Sequence, residues 1–342
     1  MIQRLIELSI RQKFIVGLLV LGIIAWGVYG FYQVPLDAVP DITNNQVQVV
    51  TVSPTLSTQE VEKYITQPVE RNMANIQGVK HVRSISRFGL SVITIVFEDN
   101  MPTLQCRQLV SEKLQGISSE IPPSIGLPEL MPITTGLGEI YQYVLEVDSG
   151  YESKYDLMTL RTIQDWTVKK QLVGLKGIVE ISSFGGYVKQ YEVSVQPDRM
   201  SSLGVTLQEL MDALAANNAN TGASYIEKGE GAIFVRSEGM IQRLEDLGNI
   251  YVKQAGSVPV FVKDVASDIK FGHSKRFGAM TMDGKGEVVG GIILMLKGAD
   301  SYAVVEGLKK RMKTIQESLP KGIHILPFID RSSLIDKTIH TV

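Results

Sequence analysis

The longest uninterrupted apolar stretch of the chain is residues 14–32, which contains no charged side chain. At about 1.5 Å of rise per residue, a helix of this length spans about 28 Å, close to the hydrocarbon thickness of a bilayer. A cleaved signal peptide is the alternative, but its apolar core is usually only about 7 to 15 residues long. Residues 33–37 also lack the small side chains of a peptidase site. The pattern therefore predicts one transmembrane helix that stays in the protein.

Charge is distributed unequally on the two sides of this predicted helix. Arg4, Arg11 and Lys13 precede it, whereas no basic residue follows it until Lys63. The cytoplasmic flanks of membrane helices carry the excess of lysine and arginine. We therefore predict that the N-terminus is cytoplasmic and that the residues after about 33 lie on the opposite side of the membrane.

Alternating and helical patterns downstream predict a βαββαβ unit. Val47, Val49 and Thr51 alternate in a way that predicts a strand over residues 46–52. Ser57 and Glu60 have the spacing of a capping box, which opens a helix. The apolar face of this helix is predicted from residues at helical spacing: Val61, Tyr64, Ile65, Val69, Met73 and Ile76. Two strands, a helix and a last strand complete a ferredoxin-like order: residues 79–86, 92–98, 102–119 and a strand near Leu127.

A second copy of this unit is predicted further along the chain, because residues 78–82 are echoed by residues 177–181. Its elements are expected at residues 140–146, 157–173, 177–183, 288–296, 303–318 and 323–327. Residues 186–275 therefore interrupt it as an insert with a helix after a capping box, Thr206 to Glu209, and a hairpin with strands at 223–227 and 232–236. The predicted fold class is an α+β membrane protein with one N-terminal transmembrane helix and two ferredoxin-like units, the second interrupted by an α+β insert.

Composition limits the classes of function that the chain can have. Hydrophobic residues make up 44% of it and the formal net charge is -2, so there is no basic field for nucleic acid. Cys106 is the only cysteine, which excludes an intramolecular disulfide, and it is predicted to be a half-buried side chain on a helix. No nucleophile with a paired base is suggested, so we expect no enzyme. The histidines lie far apart in the sequence: His81, His273, His324 and His340.

Four segments carry a family resemblance. Residues 34–41 read VPLDAVPD, residues 82–89 read VRSISRFG, residues 284–289 read GKGEVV, and residues 330–332 read DRS. With these segments the chain resembles, over its whole length, the heavy-metal efflux branch of the resistance-nodulation-division (RND) transporters. The resemblance implies five regions: the cytoplasmic N-terminus and first transmembrane helix (1–33), a first porter subdomain (34–135), a second porter subdomain (136–185 and 276–329), a docking subdomain (186–275) and a lead into a second transmembrane helix (330–342).

The resemblance also implies a function. We expect the chain to be the N-terminal part of a proton-driven heavy-metal exporter of the inner membrane, with the residues after about 33 in the periplasm and no bound cofactor. The implied partners are two further copies in a homotrimer, joined through the docking insert, a periplasmic adaptor and an outer-membrane channel. The proton-carrying carboxylates of the family would lie elsewhere, since residues 14–32 contain none. A membrane-anchored periplasmic binding or assembly module without transport is the alternative.

Few residues bear on the identity of the transported metal. The resemblance implies that Glu139 faces the cleft between the porter subdomains, as a glutamate does in zinc-type relatives, and a carboxylate favours Zn²⁺, Co²⁺ or Cd²⁺ over Cu⁺. Met280 and Met282 are predicted to alternate on one strand, a soft-metal alternative suited to Cu⁺ or Ag⁺. A solvated carboxylate and ordinary core methionines are the simpler interpretations of these residues. Lys275 stands where copper-type relatives have a methionine, which counts against a soft metal.

Overall fold

A computed structural model of the chain describes residues 11–31, 42–117, 121–122, 125–220, 224–228, 231–235, 239–276, 278–334 and 337. In chain order, the helices are α1 (Lys13–Phe31), α2 (Thr58–Val61, continued through Glu62–Thr66 and Gln67–Met73), α3 (Thr103–Ile117), α4 (Leu157–Ile163, continued through Gln164–Val168 and Lys169–Leu172), α5 (Pro197–Ser202), α6 (Leu207–Ala216), α7 (Leu244–Gly248), α8 (Val262–Val265) and α9 (Ser301–Ser318). The strands are β1 (Gln46–Val52), β2 (Val79–Arg87), β3 (Leu90–Phe97), β4 (Glu129–Leu130), β5 (Glu139–Val147), β6 (Ile178–Phe184), β7 (Lys189–Val195), β8 (Ser224–Lys228), β9 (Gly231–Val235), β10 (Tyr251–Ala255), β11 (Val258–Phe261), β12 (Ala266–His273), β13 (Met280–Thr281), β14 (Glu287–Met295) and β15 (Ile323–Asp330).

Helix α1 is the predicted apolar helix. It is long and apolar enough to cross a membrane, and none of this span is buried against the rest of the protein. Large apolar side chains are exposed along it, which is the arrangement that a lipid environment favours. Arg4, the motif at residues 34–41 and His340 lie outside the described residues.

The first sheet has the antiparallel order β2-β3-β1-β4. Its strands and helices α2 and α3 follow one another in the order predicted from the sequence, although the last strand is Glu129–Leu130 rather than a strand at Leu127. Residues from both helices and the sheet share one core, which includes Val49, Val69, Ile95, Phe97 and Val110. The alternation in β1 is therefore produced by burial of one face of the sheet.

Helix α2 departs from regular α-helical geometry in its middle, where Glu62–Thr66 form a π turn. The predicted capping box is present, because Glu60 N donates to Ser57 Oγ and Ser57 N donates to Glu60 Oε2. The prediction that Tyr64 lies on the buried face is wrong. The wider π turn changes the phase of the side chains, and Tyr64 is 47% exposed with Lys63 Nζ 5.4 Å from its ring centroid.

Cys106 on α3 is more buried than the sequence predicts. Its side chain is fully buried in the first core, and Asn45 Nδ2 donates a hydrogen bond to its Sγ at 3.5 Å. Burial raises the pKa of the Cys106 thiol, so the side chain is held as a neutral thiol. Its spacing on α3 explains this, because Val110 and Leu114 follow at intervals of four residues and are buried too.

The second sheet has the order β13-β14-β5-β15, with β6 also paired to β14. All of its pairings are antiparallel. Helices α4 and α9 contribute to the core beneath it, which includes Tyr143, Leu172, Ile293, Leu308 and Ile315. The strands and helices lie within a few residues of the predicted positions, so the apolar periodicity located this sheet correctly.

Residues 186–275, between β6 and β13, form the insert, which has a core of its own. Strands β7 and β12 pair as a ribbon at its two ends, and β10 with β11 and β8 with β9 form hairpins. Its core includes Met200, Leu210, Leu247, Val260 and Val262. The predicted capping box of α6 and the predicted hairpin are confirmed, although the hairpin tip at residues 229–230 lies outside the described residues.

The insert is attached to the second sheet by tight contacts. The chain leaves the sheet through Gly185 and Gly186, whose φ angles are +72° and +66°. A Cβ atom on Gly185 would lie 2.0 Å from Val288 O. Gly186 N donates to Glu287 Oε1 at 3.0 Å, and Arg276, on the returning segment, forms an ion pair with the same carboxylate. Both ends of the insert are therefore fastened to β14.

Candidate cation site at the end of the second sheet

Irregularities in strand pairing converge at one end of the second sheet. The register between β14 and β5 shifts between Ile293 and Leu294, and the register between β14 and β6 shifts one residue later. Strands β15 and β5 also shift register, between Pro327 and Ile329, where β15 faces the start of β5. Such bulges redirect side chains and are over-represented beside functional sites. The end of the sheet that carries Glu139 is thus its most irregular part.

Glu139 is the first residue of β5, and its side chain is exposed. Tyr141 pairs with Ile293 and Glu139 pairs with Leu294, so Ile140 is the extra residue of the bulge. The bulge turns Glu139 to the face that bears Gln142, whose Nε2 donates to Glu139 Oε2 at 2.8 Å. Glu139 is therefore an oriented carboxylate that solvent and a cation can reach.

A second carboxylate lies on the same face of the sheet. Leu294 pairs with Glu139 on one side and with Glu180 on the other, and directly opposed residues point to the same face. Two strand spacings separate the Cα atoms of the two glutamates, which is about 10 Å. Ser182 Oγ donates to Glu180 Oε1 at 3.0 Å. The sequence indicates that Glu180 and Ser182 share one face of a strand, since they alternate with apolar residues. That this face is also the face of Glu139 depends on the strand order.

Asp330, the last residue of β15, forms an ion pair and hydrogen bonds at the end of the sheet that carries Glu139. Its carboxylate contacts Lys309 Nζ at 2.8 Å and accepts hydrogen bonds from the backbone and hydroxyl of Ser332. Burial raises the pKa of the Asp330 carboxyl, but the hydrogen bonds from Lys309 and Ser332 outweigh burial and leave the pKa below its usual value. Burial, together with this nearby carboxylate, raises the pKa of Tyr141 to about 12. Asp330 therefore stays ionised and fully bonded.

The methionines of the soft-metal alternative lie at the end of a short strand. Strand β13 contains only Met280 and Thr281, and Met282 lies in the following turn, where its carbonyl accepts from Lys285 N at 2.9 Å. Met282 N also donates to Gly286 O at 3.3 Å, and both methionines are half-buried while Thr281 between them is exposed, so their alternation on one face stays a prediction. Met280 packs over Gly290, and Met282 lines a cavity to which His273 also contributes.

Within the described ranges, no group of three or more histidine, cysteine or acidic side chains is arranged to hold a metal ion. His273 packs against Tyr187 with 4.5 Å between ring centroids, and His324 Nε2 lies 3.0 Å from Asp148 Oδ2 on the surface. His81 is exposed on β2. Glu139 is thus a solvent-exposed candidate metal ligand, and the described histidines do not join it in a metal site.

Comparison with known proteins places this chain in a family. A family model described as AcrB/AcrD/AcrF matches residues 5–342 of the chain. The chain belongs to this family. Within it, the chain is 39% identical over 346 residues to the cobalt-zinc-cadmium resistance protein CzcA of Cupriavidus metallidurans, an alignment that covers 100% of this chain and 32% of the relative. It is 36% identical over 340 residues to the cation efflux system protein CusA of Escherichia coli K12, covering 99% of this chain and 32% of the relative.

A solved structure of the same family shows the same fold. The X-ray crystal structure of a heavy metal efflux pump, crystal form I, matches with a TM-score of 0.87 and 36% sequence identity, covering 98% of this chain and 33% of that chain. The resemblance to heavy-metal RND efflux proteins is therefore confirmed for this family member. The chain spans about a third of the length of the curated relatives and of the solved pump.

Proposed function

We propose that this chain is the N-terminal portion of a proton-driven inner-membrane exporter of divalent heavy-metal cations, namely Zn²⁺, Co²⁺ or Cd²⁺. The observation that carries the choice of metal is Glu139, an exposed and oriented carboxylate at the bulged end of the second sheet. Carboxylate oxygen suits borderline and hard divalent ions better than Cu⁺. The likeness to a cobalt-zinc-cadmium resistance protein supports the same choice.

The proposed layout assigns each core of the molecule to one region. The first sheet forms a first porter subdomain within residues 34–135, and the second sheet forms a second porter subdomain from residues 136–185 and 276–329. The insert, residues 186–275, acts as the docking subdomain, and residues 330–342 lead into a second membrane helix. Three separate apolar cores support this division.

The proposed assembly is a homotrimer that works with a periplasmic adaptor and an outer-membrane channel. Its support in this chain is the hairpin β8–β9, which carries exposed Tyr225, Ile226 and Ile233. Exposed apolar residues grouped on one hairpin are typical of a contact with another protein. In this proposal the hairpin docks into the next copy of the chain, and rocking of the porter subdomains alternates access to the metal.

Metal tolerance tests the proposed function. Expression of the full-length protein that contains this chain, with its adaptor and channel, is expected to raise zinc, cobalt or cadmium tolerance in a host strain that lacks its own metal exporters. The double variant Met280→Leu/Met282→Leu is expected to keep this tolerance, because neither thioether belongs to the proposed site. Growth curves at graded metal concentrations measure the effect. Tolerance to silver or copper alone, lost in the double variant, would identify a Cu⁺ and Ag⁺ exporter instead, and no tolerance to any metal would favour an anchored module.

Membrane topology is a separate prediction. Cys106 is the only cysteine of this chain and is buried, so a single new cysteine here reports its own side of the membrane once any cysteines elsewhere in the full-length protein are replaced by serine. A membrane-impermeant maleimide is expected to label Ser257→Cys, in the turn between β10 and β11, in cells whose outer membrane alone is permeabilised. Gln12→Cys, at the start of α1, is expected to react only after the inner membrane is opened, and the parent protein is the unlabelled control. The reverse order of labelling would contradict the proposed orientation.

A further inference from the structure

We propose that Arg331 is a positioning residue that holds the turn at residues 135–138 so that Glu139 is presented to the transported divalent cation. This inference rests on the proposed role of Glu139. Arg331 lies in the motif at residues 330–332, far from Glu139 in the sequence but beside it in the fold. The contact that joins them runs from the guanidinium group to a backbone carbonyl.

Arg331 donates two hydrogen bonds, to backbone carbonyls on either side of Glu139 in the sequence. Arg331 Nη1 donates to Leu137 O, two residues before Glu139, and Arg331 N donates to Ile140 O at 3.1 Å, one residue after it. A half-buried guanidinium on a carbonyl is a charge-assisted bond and is stronger than a neutral one. The backbone on both sides of Glu139 is therefore hydrogen-bonded to the same residue, Arg331, which follows β15.

The turn before Glu139 fits its surroundings closely. It is closed by Gly138 N donating to Thr135 O at 2.9 Å, and Gly138 O accepts from Met295 N at 2.7 Å. Gly138 is buried, and a Cβ atom there would lie 2.0 Å from Thr134 Oγ1. Backbone contacts thus fix one side of the turn to β14, and Arg331 holds its other side at Leu137.

Arg331 is itself held in place by its neighbours. Asp330 and Ser332 are hydrogen-bonded to each other, and Asp330 is paired with Lys309 of α9. This network fixes the backbone at residues 330–332 against the second core. A guanidinium on a fixed backbone restrains its acceptor more than one on a free loop does, because the backbone that carries it loses no further conformational entropy when the bond forms.

Transport kinetics of the full-length protein test the proposal. Arg331→Ala is expected to raise the KM for zinc about tenfold while the maximal rate stays within about twofold, as is typical when an outer-shell partner of a metal ligand is removed. Arg331→Lys is expected to retain most of the wild-type affinity, since an ammonium can still donate to Leu137 O. Arg311→Ala is the matched control, because Arg311 Nε also donates to a backbone carbonyl, that of Gln171, on the same unit. It is expected to leave KM unchanged.

A double-mutant cycle with Glu139→Gln separates this inference from the proposed function. Once Glu139 no longer binds the cation, Arg331→Ala is expected to change KM by less than about twofold, because coupled residues are not additive. An equal increase of KM in both backgrounds would overturn the positioning role while leaving Glu139 as a ligand. An unchanged KM in Glu139→Gln alone would overturn the proposed role of Glu139. If Arg331→Ala does not accumulate in the membrane, Arg331→Met, which keeps most of the side-chain volume but has no donor for Leu137 O, carries the cycle, and an equal increase of KM in both backgrounds overturns the inference in the same way.

Discussion

Glu139→Gln is expected to raise the zinc concentration that gives half-maximal export by about tenfold or more, with trimer assembly unaffected. The substitution keeps the shape of the side chain and can keep a hydrogen bond with Gln142, so it removes the negative charge and one anionic oxygen ligand. The reason for the large effect is that borderline divalent ions bind carboxylate far better than a neutral amide.

The control for this prediction lies on the same strand. Glu146→Gln removes a carboxylate near the other end of β5, about 23 Å away at the rise of an extended strand. It is expected to leave half-maximal export unchanged. Export kinetics of both variants, measured at equal amounts of protein in the membrane, check the result. Equal effects of the two substitutions would show that only the general charge of the surface matters.

Gly185→Ala is expected to destabilise the protein by about 3 kcal/mol or more, because two penalties combine at this position. Its φ of +72° is costly for a residue with a Cβ atom, and that atom would lie 2.0 Å from the Val288 carbonyl oxygen. The obstacle is backbone of the sheet, which cannot rotate away. The strand pairing of β6 with β14 and the start of the insert must both shift to relieve it.

Gly174 offers a matched comparison, because its φ is also positive but it lies in open space. Its φ is +89°, and no atom lies within 4 Å of the place where a Cβ would stand. Gly174→Ala is expected to cost only about 1 kcal/mol, from backbone strain alone. Thermal unfolding of the purified full-length variants, with limited proteolysis of the insert, measures the difference. Equal midpoints for the two variants would contradict the steric account of Gly185.

Local patterns in the sequence predict most of this fold. Strand β1 alternates because one face of the first sheet is buried, and the capping boxes at Ser57 and Thr206 begin helices where the spacing indicates. Repetition of the pattern also locates the insert between β6 and β14. These features depend on residues a few positions apart, so they can be read from one sequence.

The wrong predictions come from irregular geometry. Tyr64 leaves the buried face because a π turn changes the helical phase of α2. Cys106 is fully buried because the packing of α3 on the first sheet closes over it. Each of these depends on tertiary packing, which overrides periodicity.

The candidate site is only partly predictable for the same reason. Glu139 can be selected from the sequence by resemblance and ligand chemistry. The bulge at Ile140 determines to which face of the sheet Glu139 points. Glu139 and Glu180 come to lie on the same face because β14 pairs with both of their strands. The contact between Arg331 and Leu137 joins residues 194 positions apart, so no local pattern indicates it.

Zinc uptake into proteoliposomes that contain the full-length protein tests the central claim most directly. With an imposed proton gradient, the wild-type protein is expected to accumulate zinc, a protonophore is expected to abolish the accumulation, and Glu139→Gln is expected to need about tenfold more zinc for the same rate. Zinc accumulation that is indifferent to both the gradient and Glu139→Gln, or gradient-driven accumulation of silver alone, would contradict the account.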